Sequence, residues 1–216
     1  MEETIPAESV QEFGQVGEAM LDMIRKRRTI RQFTGEDVSQ EQIETLLEMA
    51  MCAPNRLDRR PWHFVVIRDK VLQKQIADIL RIHPYLETAP VVIAVCGLPE
   101  VSSTWLMDIS AATENMMLAA TAMGLGATWI GNPGDVVWDR CEKMLFNALA
   151  VPYNDIRFVQ KLLRRWERLL WGKSPKVLNR TIHIPALVAV GHPAAALPPH
   201  GKHDRFDPTK VHYGRW

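Results

Sequence analysis

The stretch TWLMDISAATENMMLAATAM, residues 104–123, is apolar on nearly every side. A helix without a polar face cannot rest on a surface, so the rest of the chain must supply layers around it. Those layers can be read in turn. APVVIAVCG (89–97) is continuously apolar and predicts a central strand covered on both faces. WHFVVIR (62–68), ATWIG (127–131) and IPALVAVGHP (184–193) predict three more strands. Val16, Met20, Met23 and Ile24 fall at helical spacing, which predicts a first helix ending near residue 27. Ser39 and Gln42 form a capping-box pattern, after which Ile43, Leu46, Leu47 and Ala50 line one face of a second helix. Pro54 disfavours helical geometry in the residue before it and stops that helix at Ala53. VLQKQIADIL (71–80) reads as helical, as do residues from about 135–149 and 156–171. With no repeat and no break in composition, the pattern predicts one α+β domain over residues 1–216 with a Pro-rich, irregular C-terminal arm.

Charge excludes some functions. Lys and Arg number 26 against 25 Asp and Glu, a net charge of +1, so no broad polyanion surface is expected and nucleic acid is not a partner. No apolar run reaches the roughly 18 residues of a membrane span. The opening MEETIPAESVQEF is acidic and lacks the apolar core of a signal peptide. Cys52, Cys96 and Cys141 form no CxxC pair, which argues against zinc and against a secreted disulfide framework. A reducing cytoplasm is the expected setting.

Within this neutral chain, RKRRTIRQF (25–33) gathers Arg25, Lys26, Arg27, Arg28 and Arg31 with no acid among them. Cations at a helix C-terminus complement its dipole, and many such runs are simply solvated. Here the hydroxyl of Thr29 interrupts the run and Arg31 resumes it. Guanidinium forks with a hydroxyl suit a phosphate monoester, which offers three acceptor oxygens and nearly two charges. The segment GLGATWIG (124–131) is no dinucleotide fingerprint, because its glycines follow a helix and precede a strand. They read better as a helix C-cap. APNRLDRRPWHF (53–64) reads as a rigid loop with Trp62 able to anchor the core. His200 and His203 are spaced HxxH in a Pro- and Gly-rich tail, a pair that does not by itself make a metal site, and no serine sits in a G-x-S-x-G elbow. In helix 156–171 an apolar face is set against Lys161, Arg164, Arg165 and Arg168, fitting a packed helix or a dimer cover.

Several of these segments, in order from about residue 20 to the C-terminus, resemble one family. Residues 27–33, RRTIRQF, resemble the RRSxRxF opening of the nitroreductase-like FMN flavoproteins. Residues 53–62, APNRLDRRPW, are similar to that family's APSxxNxQPW, and DISAA (108–112) through GLGATWIG to its central helix and turn. The late strand 184–193 and the ending VHYGRW match as well.

The resemblance implies an α+β homodimer with a central mixed or antiparallel sheet flanked by helices and FMN at each subunit interface. It assigns Arg27, Arg28 and Thr29 to the FMN phosphate and Arg31 to the N1/O2 edge, with Arg205, or Lys202 as alternate, joining from the tail. Pro54, Asn55, Asp58 and Arg60 would come from the other subunit, and Ile130, Gly131 and Asn132 would lie against the isoalloxazine ring. The family's motif serine, asparagine and glutamine are replaced by Asn55, Asp58 and Arg60. Asp58 then brings a carboxylate toward the edge where reduced flavin becomes anionic, which requires a partner among Arg56, Arg59 and Arg60. The activity implied is FMN-dependent NAD(P)H oxidoreduction, with NADH or NADPH as donor and a nitroaromatic, quinone or related electron-poor small molecule as acceptor. An FMN-binding sensor or carrier is the alternative. The stretch 135–183 is longer than in short members of the family and reads as a helical insertion.

Overall fold

The computed structural model describes residues 7–81, 85–131, 136–151, 182–201 and 204–214. Helix α1 spans Ala7–Lys26 and α2 spans Gln40–Met51. The Ser39 hydroxyl accepts from the Gln42 N–H while the Gln42 side chain accepts from the Ser39 N–H, so the expected capping box is formed. Strand β1 (Trp62–Ile67) leads to α3 (Lys70–Leu80), the short α4 (Tyr85–Thr88) and β2 (Val91–Gly97). Then come α5 (Trp105–Ala122), β3 (Gly126–Gly131), α6 (Val136–Ala148) and β4 (His183–Gly191). The helix expected at 156–171 lies outside the described residues.

The strands form one sheet in the order β1-β2-β4-β3, antiparallel at every pairing. Of the two arrangements expected, antiparallel is the one found, with a single parallel bridge from Thr29 to Ala127 beside β3. Strand β2 is buried along its whole length, as its unbroken apolar run requires, because helices cover both faces of the sheet. On one face Val91, Ile93, Val95, Ala186 and Val188 pack with Ile43 and Leu46 of α2 and Ile109 and Met116 of α5. On the other, Val92, Ala94, Leu187 and Ala189 pack with Ile76 of α3, Leu86 of α4 and Leu145 of α6. Trp62 anchors the first of these cores.

Helix α5 is less enclosed in one chain than its composition implies. Asp108, Ile109, Ala112, Thr113, Met116 and Ala120 are buried, but Leu106 and Met107 are exposed and Leu118 is half-buried. Its flank faces α1, across a groove of about 280 Å³ lined by Met20, Met23, Ile24, Met49, Cys52 and Leu118. Its C-terminus closes as the glycines suggested. Gly124 is left-handed (φ 73°), its N–H donates to Thr121, and the Leu125 N–H reaches back to Ala120 at 2.8 Å. That is a Schellman end, and it turns the chain directly into β3.

Candidate functional site

Two groups of predicted residues stand at opposite edges of the sheet. Strand β3 carries the first group on its outer edge and β1 the second, and three strand spacings of about 4.8 Å put these edges roughly 14 Å apart.

At the β3 edge, the segment leaving α1 runs alongside the strand. The Ile30 N–H donates to the Ala127 carbonyl at 2.9 Å, and Thr29 bridges the same residue. Gly126 permits this approach, because a Cβ there would fall 2.7 Å from the Cβ and Cγ2 of Ile30. The chain then crosses the end of β4, where Phe33 bridges Pro193, the Thr34 N–H donates to the His192 carbonyl and the Ala194 N–H to the Gln32 carbonyl. The C-terminal arm is thereby drawn back over the end of α1. The Arg28 guanidinium donates to the Pro198 carbonyl, and the His200 N–H donates to the Arg25 carbonyl at 3.0 Å.

This brings cations from distant positions together. Arg27 pairs through Nε with Glu114 of α5 at 3.3 Å. The Arg205 Nε donates to the His200 imidazole at 3.4 Å. Burial, and then the charges of Arg205, Arg28 and Arg27, push the His200 imidazolium below its usual range. Arg205, the expected tail residue, therefore stands beside Arg27 and Arg28; Lys202 lies outside the described residues. A recess of about 150 Å³ next to the cluster is lined by Lys26, Arg28, Gly124 and Leu197. Among the described residues, the Thr29 hydroxyl has no side-chain hydrogen bond and Arg31 is exposed with no ion pair. Farther along β3, Ile130 buries its side chain in the second core, so its main chain is what remains for a ligand. Gly131 is exposed about 13 Å from Ala127, at four strand steps. Asn132 lies outside the described residues.

The second group is the loop that feeds β1. Leu57, Asp58 and Arg60 have φ of 53°, 51° and 47°, a left-handed conformation uncommon for residues with side chains. Side-chain hydrogen bonds hold the loop in this shape. The Asn55 Oδ1 accepts from the Arg60 N–H at 2.9 Å, and Arg59 donates to the Val101 carbonyl at 3.1 Å. Arg56 donates through its guanidinium to Ser103 and through its peptide N–H to Asp108 Oδ1 at 3.4 Å. Asp108 is buried in the first turn of α5, where it also accepts from Ser102 at 2.7 Å and Thr104 at 3.1 Å. A buried carboxylate is tolerated there because hydroxyl and peptide donors surround it at a helix N-terminus. In the sequence Asp108 stands out only as part of a motif, since nothing in its spacing couples it to Arg56.

Asp58 has the partner its position required. Arg60 holds it bidentately, Nε to Oδ1 and Nη2 to Oδ2 both at 2.8 Å, and keeps its carboxyl below the usual carboxylate range. Pro54 is exposed at the head of the loop. No hydrogen bond or ion pair among the described residues joins this loop to Arg27–Arg31 of the same chain.

An antiparallel sheet between two helical layers, with a cation cluster fed by a helix end and a C-terminal arm at one edge and a loop at the opposite edge, defines a small α+β protein. The profile of the Nitroreductase family matches residues 24–90 and 80–147. A protein of Archaeoglobus fulgidus, provisionally named NADH dehydrogenase/NAD(P)H nitroreductase, is 32% identical over 205 residues, 92% of this chain and 99% of that one. A Bacteroides thetaiotaomicron structure with the same provisional name superposes with a TM-score of 0.73 at 28% identity, covering 92% of this chain and 98% of the other. A Desulfovibrio desulfuricans nitroreductase solved with FMN superposes with a TM-score of 0.62 at 27% identity, covering 91% and 97%. The chain belongs to the nitroreductase family.

Proposed function

We propose that this protein is an FMN-dependent NAD(P)H oxidoreductase that works as a homodimer, with nitroaromatics, quinones or similar electron-poor small molecules as acceptors. The observation that carries the reading is the meeting of Arg27, Arg28 and Arg205 beside the unengaged hydroxyl of Thr29. Their donors match the three oxygens and near-double charge of a phosphate monoester. The exposed main chain at Gly131, farther along the same strand, suits the ring end of an elongated ligand, with Asn132 beyond it.

Bound there, FMN would supply the hydride chemistry, accepting from a nicotinamide and passing on to the acceptor. The chain's own part is to hold and tune. Arg27, Arg28, Thr29 and Arg205, with Lys202 in reserve, grip the phosphate, and Arg31 offers a fixed cation to negative charge at the N1/O2 edge. Pro54, Asn55, Asp58 and Arg60 stand at the wrong edge of the sheet to serve the same cluster, which supports their reaching the ligand of a second copy. The Asp58–Arg60 pair presents a neutral unit rather than a bare carboxylate, so the loop is compatible with turnover as well as with a sensor or carrier role.

The homodimer is supported by apolar surface. Met20 and Ile24 are 60% and 48% exposed along the groove between α1 and α5, and Leu106 and Met107 are 51% and 75% exposed at the other end of α5, apolar surface of the kind that a second copy can cover. Among the described residues no helix is long and apolar enough to cross a membrane. A reducing cytoplasm, read from the spacing of the three cysteines, stays part of the proposal. The test is an absorption spectrum of the purified protein followed by stopped-flow mixing with NADH and NADPH. A flavin band bleached rapidly by either nucleotide is expected. A yellow protein that neither nucleotide bleaches would leave the carrier, and a colourless protein that takes up no FMN would end both.

A further inference from the structure

His200 lies inside the cation cluster without having been singled out as a ligand by any motif. Its peptide N–H is tied to the Arg25 carbonyl at 3.0 Å, which fixes the residue beside the end of α1. Its Nδ1 accepts from the Arg205 Nε at 3.4 Å, so the neutral ring carries its proton on Nε2. The charged groups around it come from two elements. From the end of α1 come Arg27, Arg28 and Arg25, the last already paired with Asp22 at 2.9 Å. From the arm come Arg205 and Asp204, and the Asp204 carboxylate also accepts from the Gly201 N–H at 2.6 Å. Burial and then three guanidiniums disfavour the imidazolium, with Asp204 alone favouring it. An imidazole kept neutral by neighbouring guanidiniums can take up charge when an anion arrives among them.

We propose that His200 completes this site as a proton-linked ligand: when a phosphate monoester enters, a proton from solvent is taken up on Nδ1 and the imidazolium becomes a further cationic donor. The inference rests on, and deepens, the reading of the cluster as the flavin's phosphate site. The order of events follows from the contacts. The entering dianion draws the Arg205 Nε–H away from Nδ1, which frees that nitrogen. It also reverses the local field that had kept the ring neutral. No bond other than N–H is made, and the proton comes from bulk water.

The sign is fixed by linkage. The complex binds one more proton than the free protein, so affinity tightens as pH falls through the bound-state titration of His200. The phosphate's own second ionisation, near 6, sets the lower limit of the useful window, because a monoanion grips less well. Between about pH 8 and 6.5 the FMN dissociation constant should therefore fall with pH, by at most about tenfold per pH unit for one linked proton.

The experiment measures FMN and riboflavin binding to the full chain across that window. Calorimetry in buffers of different ionisation enthalpy counts the protons. Wild-type protein should take up a proton with FMN and none with riboflavin, which lacks the phosphate. His200→Gln should bind FMN with a dissociation constant that stays flat over the window. An equal pH slope in His200→Gln and wild type, or equal proton uptake with both flavins, would overturn the inference. If neither flavin binds, the flavin reading fails on its own. The His200 NMR titration with and without inorganic phosphate then decides: an upward move of its midpoint sustains the proton linkage, and an unmoved midpoint refutes it.

Discussion

Gly126→Ala is a one-carbon change that should reach the proposed anion site through packing alone. The φ of Gly126 is not in the left-handed region, so alanine is acceptable to the backbone and the effect is purely steric. The new Cβ would meet the Ile30 Cβ and Cγ2 at 2.7 Å and Cγ1 at 2.9 Å. These atoms sit at the root of a β-branched side chain and cannot swing aside. The segment 28–31 must then lift from β3, straining or breaking the 2.9 Å hydrogen bond from Ile30 to Ala127. Overpacking of this kind costs about 1–3 kcal/mol, and the lost hydrogen bond about 1 more. For a chain of this size each kcal/mol moves the melting temperature by about 2–4 °C, so a fall of roughly 4–16 °C is expected. FMN affinity, read by flavin fluorescence, should drop as well, because Arg28 and Thr29 move with Ile30. Adding Ile30→Ala opens the space, and the double variant should recover much of both losses, a coupling of about 1 kcal/mol or more. If Gly126→Ala melts within about a degree of wild type and holds FMN equally well, the segment is not pinned by this contact and the reasoning is wrong.

Three other perturbations probe separate parts of the structure. Arg28→Ala should weaken FMN retention by roughly 1.5–3 kcal/mol, the worth of a charge-assisted contact, or roughly 10–150-fold in dissociation constant; unchanged affinity would mean that the cluster is only a solvated helix end. Asp108→Ala removes the acceptor of Ser102, Thr104 and the Arg56 N–H, so about 1–3 kcal/mol of stability should go. Trypsin should then cut after Arg56 or Arg59 in the folded variant, and resistance equal to wild type would show that the loop does not depend on Asp108. Met20→Glu places a charge in the α1–α5 groove and should turn a dimer into a monomer in size-exclusion chromatography. It should also open Cys52 to alkylation at pH 8, while Cys96, its thiol pushed up to about 12 by burial and by Glu142, stays inert in both.

Much of the architecture was written locally, and those parts could be read without coordinates. The Ser39–Gln42 capping box, the Gly124 helix end and the apolar run of β2 depend on neighbours a few residues away, where backbone geometry and burial act directly. The cation cluster was also visible in part, since RKRRTIRQF gathers its charges within nine residues. The composition of α5 overstates its burial within one chain, because a helix that is apolar all round can find some of its cover on another molecule rather than its own.

What spacing cannot carry is the meeting of residues far apart in the chain. Arg205 and His200 reach Arg27 and Arg28 only because the Phe33–Pro193 bridge turns the arm back across the sheet. Asp108 finds the Arg56 N–H across 52 positions, and Arg60 rather than Arg56 or Arg59 takes Asp58 because the other two are drawn off to Ser103 and Val101. The sequence alone determined which segments bury themselves and which charges are available. Only the packed sheet, by settling which distant groups share one small volume, decided which of those charges act together.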